Sequence, residues 1–463
     1  MRGMKNRPGI IFGLLILILF LVWWPNRGEM PRFWYDEAIN IRLSRNLAEQ
    51  GYLNLQTAPG IEYDKPYQFQ TSGYPLTAPL ALLFKTFGFS FTLARAYMFA
   101  WFVAFLASAY MLAKRLWGPW TALGSVALLA SFPPVIYHGL SVIGEIPGVT
   151  FVLLSAYFLD RFREVRLRQD LLLFSLTLGL TVAIKPLFAP IILAAAITLH
   201  YLRLSRREWL EFAVVTALPL FIFARIILPE SFSLGNLVAT YASRASQGSL
   251  FSNVATNLPR FLHELSLIYL LAVGAFTFFV RKRLGSNQAQ NYLLLSATFM
   301  FLLFLQGVGW NRYLLSTYII LLLFFPILVY KFLPHFGAVA VVTLLLAQSA
   351  YTVTKSELTV LRGSWATDVE AMIETYAPEG SIYVITSAEP ATLIPSERLY
   401  FYTRFEGREQ MSNKLSDLEV NKFDYIISKP TNPDFVAYQS EVDKYYALVH
   451  NLSGLGLYKR IEK

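Results

Sequence analysis

The chain is 463 residues long, with 55% hydrophobic and 16% aromatic residues, only 15% charged residues and a mean hydropathy of +0.45. A soluble protein carries about a quarter of its residues as charge, so the composition excludes a string of water-soluble domains and predicts a chain solvated mostly by lipid. The net charge of +10 lies in short basic clusters between apolar runs, as membrane orientation requires and nucleic-acid binding does not, and the absence of cysteine excludes disulfides, Cys-ligated zinc and a thiol nucleophile.

A bilayer core about 30 Å thick needs about 20 apolar residues as helix. Apolar runs near 9–24, 96–113, 120–137, 143–160, 170–184, 187–201, 210–228, 261–280, 291–305, 314–332 and 337–353 predict eleven transmembrane helices. The first ends in Val22-Trp23-Trp24-Pro25 without a small-residue cleavage site, so it reads as an anchor and not a signal peptide. The pair within 170–201 is short for two full crossings and predicts two short helices or a hairpin dipping part-way. Orientation follows from the connections. Arg2, Lys5, Arg7, Lys114, Arg115, Arg161, Arg163, Arg166, Arg168, Arg203, Arg206, Arg207, Arg281, Lys282, Arg283 and Lys331 fall on one side, against Lys185, Arg244, Arg260 and Arg312 opposite. Sixteen against four marks the first side as cytoplasmic, with the N-terminus inside and the C-terminus outside.

The division expected is a membrane module over 1–353, containing a first outer loop at 25–95, and an extracytoplasmic segment over 354–463. In the outer loop, Ile39, Leu43 and Leu47 recur at helical spacing, with Arg42, Arg45 and Glu49 elsewhere on the wheel, which predicts an amphipathic helix lying along the membrane surface. Asp36 and Glu37 stand at its start. An ionised carboxylate at a lipid–water boundary suits proton abstraction from a hydroxyl, and an acidic first turn equally suits the helix dipole alone. Further on, Tyr74-Pro75-Leu76 leads into an apolar stretch too short to span, which predicts a second juxtamembrane helix.

Glu145 lies inside an otherwise apolar stretch after Tyr137-His138, where an ionisable group is costly and is read first as functional, or else as an interfacial side chain reaching water. Lys185 before Pro186, and Arg312-Tyr313 after Gly307-Val-Gly309-Trp310, put cations at outer helix ends, against the positive-inside bias. Such cations suit a lipid-borne phosphate, and each suits a snorkelling anchor as well. No HExxH or GxSxG spacing occurs. In the tail, 368–376 predicts a helix, and 381–386, 424–428 and 455–460 predict strands of a small α/β domain.

In this order the residues resemble the GT-C glycosyltransferases that use polyprenyl-phosphate sugars, the branch holding protein O-mannosyltransferases and lipid A aminoarabinose transferases. The resemblance spans about residues 10–330. It rests on Asp36-Glu37, Tyr74-Pro75-Leu76, Phe87-Gly88 with Arg95, Arg115-Leu-Trp-Gly118, Pro134-x-x-Tyr137 with Glu145, Thr181-x-x-x-Lys185-Pro186, and Arg312-Tyr313-Leu314-Leu315. The family's glycine before the proline is missing at Lys185-Pro186, and Ser316 and Thr317 stand where it usually has proline.

The resemblance implies an all-α polytopic membrane enzyme of GT-C fold, to which the strand-like runs of the tail add a small C-terminal α/β domain. It implies an inverting transfer of a sugar from polyprenyl phosphate to a hydroxyl of a glycan, lipid or protein acceptor at the outer face of the cell (inner) membrane. Asp36 would act as base, with Glu37 and Glu145 orienting the acceptor or binding a divalent cation. Lys185, Arg312, Tyr313 and Arg95 would hold the donor phosphate, and His138, Tyr137 and Tyr74 would touch sugar or acceptor. A transporter or flippase would place its ionisable groups mid-span, and a non-catalytic scaffold would tolerate loss of Asp36.

Overall fold

The computed structural model describes residues 7–23, 33–63, 72–227, 250–259, most of 270–278, 287–307, 311–355, 365–385, 387–402, 423–431, 433–436, 439–452 and 454–461. The expected span at 261–280 falls largely outside these residues, as do Gly309 and Trp310. The chain divides into two compact units. One comprises Met1–Pro25, Ser72–Leu76 and Tyr97–Thr359. The other comprises Asn26–Thr71, Thr77–Ala96 and Val360–Lys463, so most of the first outer loop and the C-terminal segment share a unit.

The first unit is helical. Its described elements include α1 (Arg7–Trp23), most of a long helix α4 (Phe91–Trp117), α5 (Pro119–Ser131), α6 (Pro133–Leu140), α7 (Glu145–Val165), α8 (Arg168–Ile184), α9 (Pro190–Tyr201) and α10 (Arg206–Ile227). Leu250–Asn257, Gln288–Gln306, Leu315–Phe332 and Gly337–Lys355 follow as α11 to α14. Among the described residues, four helices are long and apolar enough to cross a membrane, or five if α5 and α6 form one span.

The stretch expected as a single span at 120–137 is broken, with α5 and α6 meeting at 72°. Phe132 is extended there because the following Pro133 disfavours helical backbone before it, and Pro133 then opens α6. The 170–201 pair is two short helices separated at Lys185, which is extended before Pro186 for the same reason.

Large side chains such as Phe102, Phe105, Phe174, Leu178, Phe304 and Phe324 fill the interior of this unit. In lipid, apolar burial drives little, so close packing and interhelical hydrogen bonds decide which helices meet. The buried Ser155 and Tyr292 hydroxyls lie 2.9 Å apart, and Ser125 donates to the Leu323 carbonyl at 2.8 Å near Pro326, which withdraws one backbone donor from α13. Ile10, Leu14, Leu17 and Leu21 of α1 stay exposed on the apolar outer surface.

The second unit holds α2 (Tyr35–Gln50), a short hairpin of β1 (Gln56–Ala58) and β2 (Ile61–Glu62), most of α3 (Tyr74–Phe87), and α15 (Trp365–Tyr376). The rest is a mixed sheet with its helices. In chain order these are β3 (Ile382–Ile385), α16 (Ala388–Leu393), β4 (Leu399–Tyr402), β5 (Tyr425–Ser428), α17 (Pro433–Val436), α18 (Gln439–Tyr445), β6 (Tyr446–Leu452) and β7 (Leu455–Arg460). The sheet order is β4-β3-β5-β7-β6; β3 pairs parallel with β4 and β5, and β7 pairs antiparallel with β5 and β6.

Helix α2 is not half-exposed. Its residues 37–46 are all buried, including Arg42 and Arg45 on the face expected to meet water. The reason lies at the end of α16, whose last carbonyls lack helical partners. Arg42 donates to the Ile394 carbonyl at 2.9 Å and to Ser396 Oγ at 3.2 Å. Arg45 donates to the Thr392 and Ile394 carbonyls at 3.0 and 3.2 Å, while Thr392 donates to the Ala38 carbonyl at 3.1 Å. Burial, with Arg45 alongside, pulls the Arg42 guanidinium down to about 9, which leaves it charged at neutral pH. Helix α2 ends at Gly51, whose φ of 85° is a left-handed cap that side chains other than glycine rarely adopt.

Candidate active site

In the second unit, Asp36 and Glu37 occupy the first turn of α2, where the helix dipole favours ionised carboxylates. The two neighbours face different surroundings. Glu37 is fully buried and accepts a hydrogen bond from Arg95 Nη2 at 2.8 Å, with both side chains completely enclosed. The Arg95 guanidinium also lies 5.0 Å from the Phe91 ring centre. This pairing is not among the roles that the resemblance implies for Arg95, and it leaves Glu37 neutralised. Asp36 is partly exposed, so of the two it is the carboxylate that a ligand reaches.

In the first unit, Glu145 opens α7 and Lys185 occupies the extended break between α8 and α9. The two form an ion pair, with side chains only 3% and 8% exposed. Close backbone approach brings them together. A Cβ on Gly148 would collide with the Phe188 ring, so only glycine lets α7 lie against the turn that follows Lys185. Gly73 is pressed as tightly against the Ala183 carbonyl, and its N–H donates to the Ile184 carbonyl at 2.8 Å.

His138 on α6, and Arg312 in the 3-10 turn Asn311–Leu314, also act on this carboxylate. One anion thus stands among Lys185, Arg312 and His138, and Glu145 Oε2 is enclosed with no hydrogen-bond partner among the described residues. Tyr137 lies edge-on to His138 at 5.3 Å, the Arg312 guanidinium lies 5.6 Å from the Tyr313 ring centre, and Tyr74 opens α3 at partial exposure.

A divalent cation requires converging oxygen or imidazole ligands with spare negative charge. Among the described residues no three His, Asp or Glu side chains gather, and Glu37 and Glu145 already face Arg95 and Lys185. Two of the three carboxylates expected as ligands are thus already engaged by cations. Sequence reasoning missed the fastening of α2 by Arg42 and Arg45. The pair's spacing of three along a helix was the available signal.

Residues 76–230 match the profile of the family described as dolichyl-phosphate-mannose-protein mannosyltransferase, a stretch that includes Arg95, Tyr137, His138, Glu145 and Lys185. No curated protein matches the chain by sequence. ArnT from Cupriavidus metallidurans, solved bound to undecaprenyl phosphate, is similar in fold with a TM-score of 0.66 at 13% identity, over 97% of this chain and 98% of that one. The chain has a GT-C fold. Two further structures share this GT-C fold. The Archaeoglobus fulgidus oligosaccharyltransferase, solved with zinc and sulfate, gives a TM-score of 0.59 at 14% identity, over 97% of this chain and 73% of that one. The mycobacterial arabinofuranosyltransferase AftD gives 0.58 at 11%, over 99% of this chain and 40% of that one. The apolar helices and this fold make the chain an integral membrane protein.

Proposed function

We propose that this protein is a glycosyltransferase that moves a sugar from a polyprenyl-phosphate donor to an acceptor hydroxyl, with inversion at C1, on the outer face of the cell (inner) membrane. The observation that carries the reading is the gathering of Lys185, Arg312 and His138 around the buried Glu145. It lies at the end of an apolar helical unit, where a lipid-borne phosphate is the anion at hand. The undecaprenyl phosphate bound to ArnT supports the donor class.

In this mechanism the acceptor oxygen attacks C1 as its proton passes to Asp36. The bond from C1 to the phosphate oxygen breaks, and the electron pair leaves with the polyprenyl phosphate. Lys185 and Arg312 bind the phosphate and stabilise the charge that grows on it, the kind of contribution that is usually the largest in catalysis. Tyr313 flanks Arg312, and His138, Tyr137 and Tyr74 border the sugar or acceptor. Glu37, held by Arg95, positions the turn that carries Asp36. The membrane arrangement proposed with it is eleven crossings, N-terminus inside and C-terminus outside, on the sixteen-to-four charge asymmetry.

The test incubates purified protein with a panel of polyprenyl-phosphate sugars and candidate glycan, lipid and protein acceptors, then reads released polyprenyl phosphate and the anomeric configuration of the product. Release with inversion is expected. No release from any donor, or a retained anomer, would overturn the proposal.

A further inference from the structure

The C-terminal sheet contains a second polar site, well separated in sequence from the residues assigned to chemistry. Strand β3 has parallel neighbours on both sides, and the chain leaves it through α16 to β4 before returning to β5 on the other side. A reversal of strand order of this kind is where open α/β sheets bind ligands, in the crevice outside the carboxyl ends of the two strands, here β3 and β5.

Ser428 ends β5 at that edge. It is fully buried, and its hydroxyl has no hydrogen-bond partner among the described residues. A buried hydroxyl left in that state costs about 1–3 kcal/mol, a cost that a ligand would remove. Glu389 follows β3 in the first turn of α16. One of its oxygens lies 3.7 Å from Lys429 Nζ, and the other is enclosed and likewise without a partner among the described residues. Ser387, also buried between β3 and α16, does not spend its side chain on capping the helix that follows.

We infer that the crevice at the carboxyl ends of β3 and β5, with Glu389, Ser428 and Lys429, binds the hydroxyl groups of a neutral saccharide. A carboxylate only accepts hydrogen bonds, an ammonium only donates, and a serine hydroxyl does both. Adjacent sugar hydroxyls present that same mixture. Glu389 repels an anionic ligand and Lys429 a cationic one, so a neutral polyol matches the set best.

The crevice also lies on the side of its unit that carries α2. Thr392, one turn after Glu389 and on the same face of α16, donates to the Ala38 carbonyl, two residues from Asp36. Its use, holding a glycan acceptor for the transfer, rests on the function proposed above; the binding itself does not.

The experiment uses full-length protein in lipid nanodiscs and saturation-transfer NMR with the methyl glycosides of glucose, mannose, galactose and arabinose. At least one glycoside is expected to bind saturably, with a dissociation constant on the order of millimolar. Ser428→Ala, Glu389→Gln and Lys429→Ala are each expected to weaken that binding about tenfold, while Asp36→Asn leaves it unchanged. Ser428→Ala removes only an unsatisfied hydroxyl, and Lys429 is partly exposed, so neither variant lowers the thermal midpoint. Absence of saturable binding to wild type overturns the inference, and so does wild-type affinity in all three crevice variants. No donor or turnover enters this measurement, so its failure and that of the transferase assay are read separately.

Discussion

Two adjacent carboxylates should fail in opposite ways. Asp36→Asn removes a partly exposed charge from the second residue of α2, where the helix dipole contributes about 0.3–1 kcal/mol. Its rate constant should nonetheless fall by roughly 10²–10⁴, because the amide cannot take the acceptor proton. Glu37→Gln leaves Arg95 charged and fully enclosed, facing an amide in place of the carboxylate that balances it at 2.8 Å. Breaking one side of a buried pair costs about 3–5 kcal/mol, which for a unit of this size lowers the thermal midpoint by on the order of 10 °C. Replacing both members, Glu37→Gln with Arg95→Met, should restore much of that loss, because no uncompensated charge remains. The assay pairs thermal unfolding in detergent with single-turnover transfer at saturating donor. The reasoning is refuted if Asp36→Asn unfolds early while Glu37→Gln keeps the wild-type midpoint, or if well-folded Asp36→Asn transfers at the wild-type rate.

Arg312→Ala should weaken donor binding by about 1.5–3 kcal/mol, roughly 10–100-fold, measured by titration with a polyprenyl-phosphate sugar, and turnover should fall with it because phosphate is present in ground and transition states alike. Gly148→Ala should abolish transfer without touching any charged group, because the added methyl drives α7 away from Phe188 and so Glu145 from Lys185; wild-type transfer in that variant would contradict the packing. A cysteine placed at Glu379 should react with an impermeant thiol reagent in intact cells and one at Ser205 should not, since both positions are exposed and belong to opposite faces in the proposed topology. Chelation with EDTA should leave the transfer rate unchanged, and rescue by an added divalent cation after loss would restore a metal role to Glu37 or Glu145.

The helices were legible where apolar length alone decides, as in α1, α4, α13 and α14. The break at Phe132 was not, because the apolar run continues through Pro133-Pro134 and hydropathy does not register backbone direction. Three strands of the C-terminal sheet stood out as short apolar runs. Strand β6 did not, because Ala447, Leu448 and Val449 are all exposed in succession and alternate nothing. At the candidate site, Glu145 and Lys185 were legible because ionisable residues in apolar surroundings are conspicuous one at a time. That they pair is set by glycines 148 and 73, whose significance appears only once Phe188 and Ala183 are in place. The burial of Arg42 was hidden for a plainer reason: its partners at Ile394 and Ser396 lie more than 350 residues downstream.

That fastening bears on how such enzymes can be recombined. A chimera that imports a foreign tail by a single cut near residue 360 would strand two guanidiniums on α2 without the Thr392 and Ile394 carbonyls and the Ser396 hydroxyl that receive them. The exchangeable cassette is discontinuous: 26–71 and 77–96 must travel with 360–463. Asp36 lies inside that cassette and Lys185 outside it. Any graft that carries the tail intact therefore carries the proposed base along and leaves the proposed phosphate cations behind.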